Sequence, residues 1–222
     1  GASVVMADIL SDLVHQEAQA LVNKGLSAFA VTIDLGDKAS IQQAVDTAVA
    51  QLGGIDGLIN CAALATGVGG KTLMEYDEDL WDRVMTINVK GTWLVTQACV
   101  PHLKKSSAGK IVNIASDTAM WGAQRLLAYV ASKGAIISMT RSMARELGED
   151  NICVNTISPG LTLVEATEYV PQARHDLYVN GRAIQRPQHP QDLNGTAIYL
   201  LSDMASFVTG QNIPVNGGFV FN

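Results

Sequence analysis

Charge is scarce in this chain. Charged side chains make up 16% of its 222 residues, and the balance is acidic, at −6. Lysine and arginine are spread thinly. The nearest approach to a basic cluster, Lys104-Lys105, reads as a solvated helix end. Nucleic acid and anionic membrane both require clustered positive charge, so neither is an expected partner. Cysteine is also rare. Cys61, Cys99 and Cys153 are scattered without C-x-x-C spacing, which argues against a zinc site or a disulfide framework and predicts three buried, reduced thiols. His15, His102, His175 and His189 share no ligand spacing, so no metal is expected. No apolar run reaches membrane-spanning length and no signal-peptide pattern is present, making a cytoplasmic location the expectation.

What is abundant is buried-type residue. Hydrophobic side chains make up 48%, and they fall into strand-like and helix-like segments that alternate from end to end. Residues 3–7, 28–33, 55–61, 110–115, 152–157 and 213–215 read as strands. Residues 11–24, 37–52, a long and kinked stretch from 77 past Pro101, 126–147 and 190–201 read as helices, with helical pieces between 165 and 181. Over residues 37–52 the apolar positions Ile41, Ala44, Val45, Ala48 and Val49 mark one buried helix face. Such alternation predicts an α/β, Rossmann-like, doubly wound parallel sheet with helices on both faces, organised as one domain over residues 1–222. Ligands on such sheets bind beyond the carboxyl ends of the strands. Asp8, Asp34, Asn60, Ser116 and Pro159-Gly160 all fall there.

The strongest chemical signal lies between Ser116 and Lys133. Tyr129 and Lys133 stand four residues apart in a helical stretch, so their side chains share a face. Ser116 ends the preceding strand. A free tyrosine loses its proton only near pH ~10, and a neighbouring cation lowers that value. The group therefore reads as a phenol tuned for proton transfer, with a hydroxyl to hold an oxygen. Taken alone, the same spacing also describes a half-buried tyrosine above a solvated lysine.

Ordered with Asp8, Asp34-Leu35, Asn60-Cys61-Ala62-Ala63, Asn88-Val89-Lys90-Gly91, Ser158-Pro159-Gly160 and the ending T-G-Q-N-I-P-V-N-G-G, the chain resembles the short-chain dehydrogenase/reductase family over nearly its whole length. The resemblance implies that Tyr129 is the general acid/base, that Lys133 lowers its pKa and binds the nicotinamide ribose, that Ser116 holds the reacting oxygen, and that Asn88 supports a water relay. It implies cofactor contacts from Asp8, Asp34, Leu35, Asn60, Ala62, Pro159, Gly160 and Thr162 as well as from Tyr129 and Lys133. Asp8 can accept bonds from both ribose hydroxyls of NAD and would repel the 2′-phosphate of NADP. No lysine or arginine flanks it, so NAD is the expected cofactor. The substrate expected is a small or medium secondary alcohol or its ketone, with Trp121, Val164 and Tyr169 as pocket walls, joined by Leu64, Met120 and Leu177. Glu165, Arg174 and Arg182 would add charge to a lid. A homotetramer is implied, with the apolar ending at residues 218–221 fit for burial against a partner or internally.

Several features depart from the family pattern. Ala63 stands where a glycine is usual, and Val164 where a threonine is usual, with Thr162 two residues earlier. The family's opening strand and glycine-rich turn are missing from the pattern, which leads to the expectation of a longer native N-terminus supplying a strand between residues 4–7 and 55–61. Gly67-Val68-Gly69-Gly70 lacks phosphate-cradle spacing and reads as a flexible loop. Two other functions remain open: an NADPH-dependent reductase of 3-oxoacyl or sugar carbonyls, and a non-catalytic ligand-binding protein of the same fold.

Overall fold

A computed structural model describes residues 1–222. The chain runs β1 (Val4–Asp8), α1 (Ser11–Val22), β2 (Ala28–Thr32), α2 (Lys38–Leu52), β3 (Gly57–Asn60), α3 (Glu78–Val84), a π-helical segment (Met85–Gly91), α4 (Thr92–Leu103), β4 (Lys110–Ile114), α5 (Thr118–Trp121), α6 (Leu127–Leu147), β5 (Cys153–Pro159), α7 (Gln172–Gly181), α8 (Gln191–Leu201) and β6 (Asn212–Val215). The expected α/β, Rossmann-like order of parallel strands and crossover helices is present. The strands fall into two sheets, and the break lies between β1 and β3, where the sequence led to the expectation of a further strand. β1 pairs only with β2, while β3, β4, β5 and β6 form a second parallel sheet in that order, so β1 and β3 are not hydrogen-bonded to each other.

Strand periodicity builds the layers. Ile111 and Val112 are neighbours on β4 and point to opposite faces. Ile111 joins a core with Ile41, Ala44 and Val45 of α2, Leu94, Val95 and Cys99 of α4, and Val154 of β5. Val112 joins Ile157 of β5 and Leu200 of α8 on the other side. Asn60, Asn113, Thr140 and Thr156, with Thr96, form a bonded polar chain across β3, β4 and β5. The Asn60 amide donates to Thr96 (3.0 Å) and Asn113 (2.8 Å), Asn113 donates to Thr140 (2.8 Å), and Thr156 donates to Thr140 (2.7 Å). Buried polar groups left unpaired would each cost about 1–3 kcal/mol; here they are satisfied and fix the register of β3, β4 and β5.

Local details correct several expectations. The long helical stretch from residue 77 is interrupted by the π segment (Met85–Gly91), and Pro101 sits inside α4. The loop at Gly67–Gly70 is anchored: Val68 is buried with Val84 and Ala128, and Gly70 N–H donates to the Arg125 carbonyl at 2.9 Å. Cys61 is exposed, unlike the buried Cys99 and Cys153. Arg182 is not a lid charge but is buried. Phe219 packs internally on Tyr178, with ring centroids 4.3 Å apart, while Phe221 is exposed. α5 has no counterpart in the sequence reading.

Gly91 lets the π segment close on the loop after β2. A Cβ there would lie 2.8 Å from Leu35 Cβ and 2.9 Å from the Leu35 carbonyl oxygen. Backbone cannot yield as a flexible side chain does. Gly91→Ala is therefore expected to cost about 1–3 kcal/mol and to lower Tm by several degrees. An unchanged thermal melt would show that the helix can move away freely.

Candidate active site

The site forms where β4, β5 and the π segment deliver their ends to α6. Ser116 follows β4 and is buried; its Oγ accepts from Thr118 N–H (3.2 Å) and from Thr118 Oγ1 (2.9 Å). α6 places Tyr129 and Lys133 one turn apart, with Lys133 Nζ 5.7 Å from the centre of the Tyr129 ring. The lysine is buried and donates to the Ile114 carbonyl of β4 at 2.7 Å. Burial pushes its pKa down to about 8.

The tyrosine behaves differently from the expectation of a phenol lowered by its lysine. Burial pushes the Tyr129 hydroxyl up to about 12, against the opposing pull of the Ser116 hydroxyl. Its half-buried ring packs beside Val68, Val84 and Ala128, and such apolar packing disfavours a phenolate. In this state Tyr129 is a proton donor, and Lys133 a weakly solvated cation beside it.

Asn88 is buried in the π segment, a geometry that recurs at functional sites. Its Oδ1 accepts from Leu64 N–H (2.7 Å), and its amide donates to the Leu64 carbonyl (3.1 Å) and to Ser132 Oγ (3.2 Å). Asn88 thus clamps the loop after β3 to α6 beside Tyr129. Its side chain is fully engaged, so any relay through Asn88 runs through the main-chain carbonyl, which the Thr92 hydroxyl also meets at 2.8 Å.

Asp8 and Lys133 both act on the charge at Cys61. Although Cys61 is exposed as a residue, the chain packed around its sulfur raises the thiol pKa, while Lys133 lowers it and Asp8 raises it. Asp8 Oδ1 accepts from Leu10 N–H at 2.9 Å within its own turn, which leaves Oδ2 to accept from a ligand. Asp34 Oδ1 is similarly held by Gly36 N–H (2.8 Å), and Leu35 lies against Gly91. Ala62 is exposed on the loop after β3. Asn60 turns its amide into the sheet rather than toward the cleft. Pro159 ends β5 and accepts from Asp117 N–H (2.9 Å), while Gly160 N–H donates to the Val215 carbonyl (3.3 Å) and Thr162 Oγ1 to the Gly160 carbonyl (3.1 Å). Of the expected pocket walls, Tyr169 reaches across to donate to the Ala65 carbonyl at 2.8 Å, Trp121 packs edge-on to Tyr178 and Phe219, and Val164 is exposed. No three His, Cys, Asp or Glu residues converge as metal ligands.

A family model described as Enoyl-(Acyl carrier protein) reductase matches residues 1–220. The 3-oxoacyl-[acyl-carrier-protein] reductase FabG of Thermotoga maritima is 33% identical, covering 99% of this chain and 88% of its own. The meso-2,3-butanediol dehydrogenase of Serratia marcescens is 35% identical over 98% of this chain and 84% of its own. The chain belongs to the short-chain dehydrogenase/reductase family. It is an oxidoreductase of that family. Among solved structures, an NAD+-bound xylitol dehydrogenase shares 29% identity at a TM-score of 0.91, covering 98% of this chain and 89% of the other. A gluconate 5-dehydrogenase from Burkholderia cenocepacia, in complex with NADP and tartrate, shares 28% identity at 0.92, covering 99% and 86%. These neighbours bind NAD or NADP between them, and the family by itself does not select one.

Sequence reasoning missed the residues that hold this site from behind. Ser132 donates to the Tyr129 carbonyl (2.8 Å) and receives Asn88. Asp117, next to Ser116, is completely buried. An aspartate that directly follows a buried strand end was the available signal.

Proposed function

We propose that this protein transfers a hydride between NAD(H) and a small or medium secondary alcohol or ketone, with Tyr129 as general acid/base. The observation that carries the proposal is the buried Lys133 one turn from a half-buried, protonated Tyr129 that lies close to the Ser116 hydroxyl. A nicotinamide dinucleotide bound along the cleft supplies the hydride. The chain supplies the rest. Ser116 holds the substrate oxygen, Tyr129 delivers its proton to that oxygen during ketone reduction, and the Lys133 charge stabilises the phenolate left behind. In alcohol oxidation the same phenolate takes the proton back.

Asp8 favours NAD over NADP. Its Oδ2 suits a ribose hydroxyl, and its negative charge opposes a 2′-phosphate. The resemblance to a 3-oxoacyl reductase keeps an NADPH-dependent carbonyl reductase as the second reading. Calorimetric titration with NADH and NADPH in parallel separates them. NADH is expected to bind at least about tenfold tighter, a difference of ~1.4 kcal/mol, and Asp8→Ala to erase most of that gap. A preference for NADPH would establish the second reading, and binding of neither would overturn both. Two apolar faces support a homotetramer: a half-exposed one around Met85, Val89, Trp93, Met139 and Met143, and an exposed one around Ile198, Met204 and Phe207. No helix is long and apolar enough to cross a membrane.

A further inference from the structure

Three separate parts of the chain meet at one buried carboxyl group. Asp117 has no exposed surface and precedes α5 without capping it. Instead its Oδ1 accepts from the Tyr178 hydroxyl of α7 at 2.7 Å. That hydroxyl also receives the Trp121 indole N–H at 3.3 Å. The Tyr178 ring is sandwiched, with Phe219 stacked at 4.3 Å and the Arg182 guanidinium 5.2 Å from its centre. Arg182 is itself spoken for, donating to the carbonyls of Leu161, Arg186 and Asn216 and to Gln188 Oε1. The second carboxyl oxygen, Oδ2, is buried without a hydrogen-bond partner. A cap or a simple salt bridge would not leave it so.

We propose that Asp117 is a positioning residue for the reaction: its carboxyl latches α7 and the C-terminal segment onto the Ser116 loop, and proton loss from it loosens that latch. The proposal rests on the oxidoreductase reading only for the meaning of Ser116. The physical basis is the unpaired Oδ2. A neutral carboxyl tolerates the dry pocket, whereas a carboxylate draws water in and so favours lifting α7 away. The groups facing it are Tyr178 and Arg182 from α7 and its end, Arg174 of α7 behind Trp121, Asn216 of the C-terminal segment, and Tyr129 of α6. The Asn216 amide donates to the Val220 carbonyl at 3.1 Å and also pulls the Asp117 pKa down. Burial outweighs the pull of Tyr178, Asn216, Arg182 and Trp121 and pushes Asp117 up to about 6.

The sign follows from linkage. The closed latch binds a proton up to about pH 6, and an opened, hydrated Asp117 only up to its ordinary 3.8. Closure is therefore fully favoured below 3.8 and weakens as pH rises through 6. Between pH 5 and 7 the opening constant should grow about tenfold.

The test is amide hydrogen exchange of the full chain across residues 172–181, corrected for intrinsic rates. It needs no turnover, so it stands apart from the fate of the proposed function. Protection in wild type is expected to fall about tenfold from pH 5 to pH 7, with β4 and β5 unchanged. Asp117→Asn keeps an acceptor for Tyr178 but cannot ionise, and should abolish the pH dependence. Tyr178→Phe should lower protection of 172–181 at pH 5 while preserving the ring stack. An identical pH profile in wild type and Asp117→Asn, or protection of α7 indifferent to pH, would overturn the proposal. With cyclopentanone as probe ketone, the same loss should appear as a KM that rises with pH in wild type and stays level in Asp117→Asn.

Discussion

Tyr129→Phe should reduce turnover at least about a thousandfold, within the range expected when a general acid/base is removed, while NADH affinity changes by no more than a few-fold. The ring is retained, so its packing beside Val68, Val84 and Ala128 survives and the fold should melt at nearly the wild-type temperature. Only the hydroxyl is lost, and that hydroxyl, held up near 12 by burial against the pull of the Ser116 hydroxyl, is the proton donor proposed for the reaction. Steady-state rates and calorimetric binding on the same preparation separate the two effects. Turnover persisting within tenfold of wild type would remove Tyr129 from the chemistry.

Lys133→Met should weaken catalysis and strengthen the fold at once. Without the cation, no charge stabilises the phenolate, and a loss of about a hundredfold or more in turnover is expected. Stability should move the other way. The unfolded chain keeps the lysine proton up to the ordinary 10.5, but the folded chain only to about 8. The unfolded state therefore holds more protons between those values, and wild-type stability rises with pH across that window. At neutral pH the whole burial penalty is present. Methionine removes it, at the loss of the bond to the Ile114 carbonyl, for a net gain on the order of 1–3 kcal/mol. Thermal melts at pH 7 and pH 10 should show the variant's advantage shrinking as pH climbs. A less stable and still active variant would contradict both halves.

Much of this architecture was legible before the structure, because strand and helix periods leave a strong trace. The apolar run of β5 and the one-faced pattern of α2 name their elements directly, and Asp8, Ser116, Tyr129 and Lys133 fall at strand ends or on one helix face by spacing alone. What was not legible depends on packing. The π segment has no sequence period of its own, so the interruption was placed only loosely. The pKa of Tyr129 turned on burial rather than on the visible Lys133. Arg182 looked like a lid charge because no pattern reveals that three carbonyls and Gln188 surround it. Val68, one apolar residue among glycines, gave no sign of being an anchor. The separation of β1 and β2 from the larger sheet falls where the missing opening strand of the family pattern was expected to lie.

The most direct measurement is hydride transfer itself. The purified chain is mixed with NADH carrying deuterium at the transferring position and with a panel of small and medium ketones, and the product alcohols are weighed by mass spectrometry. A product carrying one deuterium, formed by wild type and not by Tyr129→Phe, is the predicted result. Label absent from every product, or present equally with Tyr129→Phe, would contradict the assignment of this site.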